Sequence, residues 1–393
     1  MTPYRLNVFK LYLFTFLVNL HFIGGVLVPF FTQWGKISFS QLMVLQTFFL
    51  VAVFLLEAPT GAVADKFGRK ISIFLGALCT ALGVLVYTSE PSYALFFVGE
   101  LLWAFGTAFI SGADSSLLYD SLKQSKDEKK SKKILGRFAS LDLIALMIAA
   151  PIGGLIAHSY GLEYAMFFML IPLLLASCVA LTVREPTLGR KKAQKRSYVE
   201  TLRGGFSFFL THRILKLMAF DSAISFSLVF FTIWVYQYKL QELGLPLSYY
   251  GFVHAGMVLT QICILNSFPF LEKIVGKKSR LILLTNIIPG FFLILLGVTT
   301  SIPVAIASAI IIVGCGLPRG TLYQNYMHKY IPSDRRATVL STISMMRSGT
   351  MALNNLVMGL LIAWSLTYSL VLLGTVIILF SLVIRVKEGH LRD

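Results

Sequence analysis

The chain has little charge. Of its 393 residues only 13% are Asp, Glu, Lys or Arg, while 56% are hydrophobic; an ordinary soluble domain carries roughly 25% charged residues. So few polar side chains cannot cover the surface of a soluble protein of this length, and the mean hydropathy is accordingly +0.76. Lipid suits such a surface, and within it the backbone must satisfy its own hydrogen bonds in helices or a closed barrel. The alternating segments of about ten residues that mark a barrel are missing. Acid is scarcer still: 18 Asp and Glu face 35 Lys and Arg, a formal net charge of +17. Cysteine is also sparse, and Cys79, Cys178, Cys263 and Cys315 each fall in a separate apolar stretch with no metal-ligand spacing. They read as small packing residues, and no metal is expected. Loops of the GxxxxGK[ST] type are absent, as are HExxH and GxSxG, so neither ATP as the energy source nor an intramembrane enzyme finds support. The first apolar run, 7–31, lacks a small-residue cleavage site and exceeds the roughly 7–15 residues of a signal h-region, so a first membrane helix is expected.

The long apolar runs are the dominant feature. A span needs about 20 apolar residues, and twelve candidates lie at 7–31, 40–60, 70–89, 92–121, 134–158, 162–183, 217–241, 248–270, 280–299, 302–327, 337–363 and 365–385. A polar stretch divides them into two sets of six, which predicts an N-terminal bundle at 1–183, a linker at 184–216 and a C-terminal bundle at 217–393. Alternate connections hold nearly all the basic residues: Lys66, Arg69 and Lys70; seven between Lys123 and Arg137; nine between Arg184 and Lys216; then Lys273, Lys277, Lys278 and Arg280; then Lys329, Arg335 and Arg336. The opposite side holds Lys36 and Lys239. By the positive-inside rule both termini are expected in the cytoplasm of a multi-pass protein of the cell (inner) membrane. The distribution also removes the nucleic-acid reading that the net charge alone would invite. Trp34 and Trp364 fall at predicted outer ends, where indoles favour the interface. In the linker, the basic run Arg190–Arg196 and the amphipathic stretch Tyr198–Lys216 read as a tether and a helix on the anionic inner leaflet, with a partner-binding site as the alternative.

One loop is sharply patterned. After the second span come Gly61, Asp65, Lys66, Gly68, Arg69 and Lys70 in the order G-x-x-x-D-K-x-G-R-K. Gly61 permits close helix approach and Gly68 a tight turn. Asp65 can face a helix N-terminus, and Arg69 can pair with Asp120 at the end of the fourth span. This loop resembles the cytoplasmic loop between spans two and three of the major facilitator superfamily, in the position that family gives it. A degenerate echo, Glu272-Lys273-Ile-Val-Gly276-Lys277-Lys278, sits between spans eight and nine. The resemblance implies an all-α integral membrane protein with twelve transmembrane helices in two six-helix bundles around a central cavity. It implies secondary transport by alternating access, with the Gly61–Lys70 loop and Asp120 as a conformational latch; a plain charge-stabilised loop is the alternative. Within the family the chain looks most like bacterial drug or metabolite:proton transporters. Two departures leave antiport open: no Arg precedes Gly106 in the fourth span, and Ala150-Pro151-Ile152-Gly153-Gly154 only approximates the fifth-span antiporter motif.

Ionisable residues inside spans are functional candidates by default. Asp114, Asp142, Arg319 and Arg347 stand out; Asp221 and Glu100 lie nearer span ends. A shift of 205 residues superposes Arg319 on Asp114 and Arg347 on Asp142. In parallel repeats related by an axis along the membrane normal, Asp114 and Arg319 could pair across the cavity, with Asp114 the protonatable partner; the alternative is that each charge is satisfied within its own half. Asn19, His21, Gln237, His254 and Asn354 are polar cavity candidates, and Trp103 and Tyr236 candidate aromatic walls for a lipophilic or cationic solute. The expected function is proton-coupled efflux of a small amphiphilic solute by a monomer in the bilayer, with no cofactor and no nucleic-acid partner. A specialised solute such as a siderophore or lipid-like metabolite, moved in either direction, is the alternative within transport, and a non-transporting receptor or sensor the alternative outside it.

Overall fold

The structure, a computed structural model, describes residues 3–186, 206–332, 336–384 and 386–391. Among the described residues every regular element is helical. Eleven helices are long and apolar enough to cross a membrane: α1 (Tyr4–Gly25), α2 (Phe39–Phe67), α3 (Arg69–Ser89), α4 (Tyr93–Gln124), α5 (Glu128–Tyr160), α6 (Leu162–Thr182), α7 (Arg213–Glu242), α8 (Leu247–Val275), α9 (Lys278–Val298), α10 (Ile302–Tyr330) and α12 (Leu366–Val383). Between the last two lies α11 (Arg336–Trp364), equally long but more polar because it carries Arg347, Asn354 and Asn355. The helices run past the apolar stretches at the ends that bear basic loops: α2 continues to Phe67, α5 begins at Glu128 and α8 ends at Val275. Lys, Glu and Arg favour the helix there as well as Leu does. The basic run Arg190–Arg196 and the beginning of the expected amphipathic stretch lie outside the described residues.

Local chemistry sets the helix ends. Ser38 opens α2 with a capping box: its Oγ accepts from Gln41 N at 3.2 Å, and Gln41 Oε1 accepts from Ser38 N at 2.8 Å. Gly68, at φ +100°, separates α2 from α3 in a conformation that a side chain would strain. Five spans are interrupted, α6 among them at Phe168–Met169. The regular α-helix of α1 stops at Val18, α4 breaks at Gly112, α7 at Phe231, and α10 at Leu317–Pro318. Proline has no N–H to continue the ladder, so α10 resumes at Arg319, while in α4 the helix resumes at Ala113. Interruptions inside a membrane persist only where protein or water satisfies the freed backbone.

The chain forms two compact units. The first comprises the described residues of Met1–Ala193 with Pro246–Ala255, the second those of Gln194–Leu245 and Gly256–Asp393. The first unit is centred on Leu11, Phe14, Ile73, Leu117 and Leu118, and the second on Met218, Leu281, Leu322, Tyr323 and Val339. Outward-facing side chains are apolar, with Val383 81% exposed and Leu360 72%. A surface of this kind belongs in hydrocarbon, so packing contacts and not hydrophobic expulsion hold the helices together. The first turns of α8, Pro246–Ala255, pack with the first unit. There, a Cβ on Gly251 would lie 2.0 Å from the Ala150 carbonyl oxygen and 2.7 Å from Pro151 Cα. A Cβ on Gly154 would lie 3.2 Å from Gly251 N, and one on Gly25 would lie 2.8 Å from Gly251 Cα. The Ala150–Gly154 stretch thus serves as a backbone crossing point.

Candidate functional site

In the patterned loop, Arg69 Nη1 donates to Asp120 Oδ2, joining the start of α3 to the second half of α4. Asp65 is exposed and does not cap the start of α3. Glu185 does so from beyond the end of α6: its Oε1 accepts from Arg69 N at 3.0 Å and its Oε2 from Lys70 N at 2.9 Å. The orphan N–H groups and the macrodipole of α3 thereby receive a carboxylate. A Cβ on Gly61 would touch nothing within 4 Å, so in this structure that glycine does not mediate a close helix approach.

The embedded carboxyls of the first unit lie between α1, α4 and α5. Asp142 Oδ1 accepts from Thr15 Oγ1 at 2.8 Å and from Asn19 Nδ2 at 3.2 Å. Asn19 also donates to the Thr15 carbonyl at 2.8 Å, closing the interrupted end of α1. Asp114 lies in the first turn after the α4 break. Its Oδ1 accepts from Ser115 N. Among the described residues neither carboxyl has a salt-bridge partner. His21 stands edge-on to Trp103 at 5.6 Å, and Trp103 to Tyr87 at 6.0 Å. His254, from the α8 segment of this unit, is buried beside the α1 break, with Nε2 3.8 Å from where a Cβ on Gly24 would be.

In the second unit Arg319 is satisfied within its own half, as the alternative to a pair with Asp114 has it. Arg319 is 3% exposed, and its Nη2 donates to Asp221 Oδ2 at 2.5 Å. Nη1 donates to Thr285 Oγ1 at 3.1 Å and to the Ile282 carbonyl. Tyr323 Oη donates to the same Asp221 oxygen and accepts from Arg319 Nη2 at 3.2 Å. Asn286 extends the network, donating to Ser225 Oγ at 2.8 Å and Ser381 Oγ at 2.6 Å. Arginine at the first position of a helix segment opposes the macrodipole, and a buried carboxylate within hydrogen-bond reach relieves that conflict. Asp221, which its position near a span end had put second, is therefore the partner.

The repeat register also needs adjustment. The Thr15–Asp142 and Asn19–Asp142 contacts recur 208 residues on, where Thr350 Oγ1 donates to the Ala223 carbonyl and Ser227 Oγ to the Thr350 carbonyl. The counterpart of Asp142 is thus Thr350. Arg347, almost a turn earlier, places its guanidinium 4.8 Å over the Phe226 ring. Asn354 Nδ2 donates to the Ser227 carbonyl at 3.3 Å. Tyr236 and Gln237 are 0 and 1% exposed and present no free wall in this structure. Glu100, whose place near a span end had likewise put it second, is buried and accepts from Gln46 Nε2 at 2.8 Å.

A chain of membrane-spanning helices with interrupted spans and embedded carboxyls has the build of a transporter. The sequence pattern of the Major Facilitator Superfamily matches residues 11–354, and the chain belongs to that superfamily. It is 22% identical over 342 residues to an uncharacterised MFS-type transporter of Methanocaldococcus jannaschii, covering 85% of each chain. It is 24% identical over 212 residues to multidrug resistance protein 2 of Bacillus subtilis, covering 51% of this chain and 52% of that one. A variant of the nucleoside transporter NupG superposes with a TM-score of 0.80 at 14% identity, covering 96% of this chain and 98% of the other. A D-xylose–proton symporter gives 0.78 at 13%, covering 98% of both. At these identities the structural likeness establishes the fold alone.

Proposed function

We propose that the protein exports small amphiphilic organic solutes across the cell membrane in exchange for protons, by alternating access, with both termini in the cytoplasm. The observation that carries this reading is the pair Asp142 and Asp114: two carboxyls in the spans that accept hydrogen bonds from Thr15 and Asn19 and from Ser115, with no ion pair among the described residues. A carboxylate in hydrocarbon without a cation is costly, so such a group binds a proton readily and releases it when water reaches it. Asp221 is unsuited to that task because Arg319 neutralises it. The likeness to multidrug resistance protein 2 favours amphiphilic cargo. His21 and Trp103, edge-on to one another and backed by the buried Tyr87, provide an aromatic group next to the α1 break that such cargo can meet. In this reading the loop from Gly61 to Lys70, with Arg69 on Asp120 and Glu185 on α3, is the latch that holds one conformational state. The proton gradient supplies the energy, no cofactor is needed, and a monomer suffices.

Inverted membrane vesicles holding a pH gradient, challenged in turn with lipophilic cations, amphiphilic antibiotics and metal-chelating acids, test this reading. The expected result is compound-dependent collapse of the gradient, abolished in Asp142→Asn and slowed in Asp114→Asn. Wild-type proton exchange in both variants removes the carboxyls from the mechanism. Silence of the folded protein towards the whole panel replaces exchange with uniport, symport or a specialised solute.

A further inference from the structure

Away from the carboxyl pair, the second unit holds a cavity of about 410 Å³ between the start of α9, the middle of α10 and the end of α12. Four cations line it, Lys277, Arg280, Arg319 and Lys387, with two carboxylates, Asp221 and Glu388. Both carboxylates are committed elsewhere. Asp221 binds Arg319, and Glu388 accepts from Lys278 N at 3.0 Å and Ser279 N at 2.8 Å at the start of α9. Lys277 and Arg280 are exposed and have no ion pair among the described residues. Deeper in, Arg319 Nε is buried with no hydrogen-bond acceptor. A cavity whose cations exceed its anions, with Lys277 and Arg280 unpaired at its mouth, calls for an anion with several acceptor oxygens.

The first unit shows what is missing. There the loop cation Arg69 is neutralised by Asp120, whereas Lys277 and Arg280 have no ion pair among the described residues. The second loop keeps its charge. The cavity is also bordered by Ile384 and Val386, next to Val383, which is 81% exposed on the outer face of α12. Acyl chains can lie along that face while a headgroup occupies the cavity.

We propose that this cavity binds the phosphate of an acidic phospholipid of the inner leaflet, with Lys277 and Arg280 gripping its oxygens at the mouth and the Asp221–Arg319 pair forming its floor. The placement in the inner leaflet rests on the orientation read from the basic loops; the binding itself does not depend on transport. Phosphate-bearing anions share this chemistry, so the ligand's source is part of the test. The full chain in detergent is titrated with dioleoyl-phosphatidylglycerol, dioleoyl-phosphatidylcholine or inorganic phosphate, and bound lipid is counted by native mass spectrometry. Phosphatidylglycerol is expected to be retained, phosphatidylcholine not, and the double variant Lys277→Gln/Arg280→Gln to weaken retention about 30-fold, roughly fivefold per charge. Lys129→Gln/Lys132→Gln, an equal charge change at the exposed start of α5 in the first unit, is expected to leave retention unchanged. Equal losses in both double variants would reduce the site to diffuse attraction and overturn the proposal. Complete displacement of the lipid by millimolar inorganic phosphate would overturn the lipid assignment in favour of a free anion.

Discussion

The two units solve one problem in the same way and a second in opposite ways. Each follows its sixth helix with a basic residue and a glutamate, Arg184-Glu185 and Lys387-Glu388, and each glutamate caps the third helix of its unit through two backbone amides. The caps are interchangeable in design; the buried charges are not. The first unit leaves Asp142 and Asp114 without a cation and neutralises its loop through Arg69 and Asp120. The second pairs its buried Arg319 with Asp221, holds Arg347 over the Phe226 ring and leaves loop cations open. The two repeats thus share their helix ends and differ in their charges: one unit carries embedded carboxyls without a cation and the other a buried ion pair.

The largest effect that could break this comparison is expected at Asp221. In Asp221→Ala, Arg319 is left as an uncompensated charge at 3% exposure, which costs about 3–5 kcal/mol. Thermal unfolding in detergent should show a large fall in Tm or loss of the monodisperse protein, and Asp221→Leu/Arg319→Met should recover most of it. Asp142→Asn should cost about 1 kcal/mol or less, since Thr15 and Asn19 retain an amide oxygen to bond. Should Asp142→Asn prove the more damaging, the contrast between carboxyls without a cation and a buried ion pair is wrong.

How much of this was legible follows from what each feature depends on. The spans were, because apolar length and basic loops are properties of the chain alone. The family, which the match over residues 11–354 shows, was legible from the single loop Gly61–Lys70. Tertiary pairing was not. Arg319 was matched to Asp114 by repeat arithmetic, whereas its partner Asp221 is a helix neighbour within the same unit, which no periodicity announces. The same arithmetic put Arg347 opposite Asp142, nearly a turn out of register, because α1–α5 and α7–α11 repeat at 208 residues and not 205. Glu185 was hidden in a linker read only for its positive charge. The signal that could have found it was its twin, a Lys-Glu pair at the same place after the twelfth helix. The α8 crossing escaped because Gly251 is one of 30 glycines, and only its contact with Ala150 distinguishes it.

The shared caps give a smaller effect that sharpens the comparison. Glu185→Ala removes the acceptor for Arg69 N and Lys70 N in a half-buried setting and should lower stability by about 1 kcal/mol. Glu388→Ala, at an exposed position, should cost about half as much because solvent already screens it. Parallel melts of the two variants measure the ratio, and a reversed order would mean that Glu388 is tied to more than the α9 amides.

The smallest effect separates exterior from embedded acid. Asp127, on the loop between α4 and α5, accepts from Lys130 Nζ at 3.0 Å and Arg5 Nε at 2.7 Å. The bond from Lys130, followed by that from Arg5, holds its carboxyl below the ordinary aspartate range. A carboxyl whose folded value is depressed stabilises the fold fully above its unfolded value, about 3.9. That contribution fades as the pH falls through the folded value. Asp127→Asn should therefore flatten the fall in Tm below about pH 4 and leave stability at neutral pH almost unchanged, since exposed pairs contribute little. Transport should keep its dependence on pH near neutrality in this variant and lose it in Asp142→Asn. If Asp127→Asn instead moves the neutral-pH transport profile, proton sensing lies on the loop that ties α1 to α5, and the embedded carboxyls are structural.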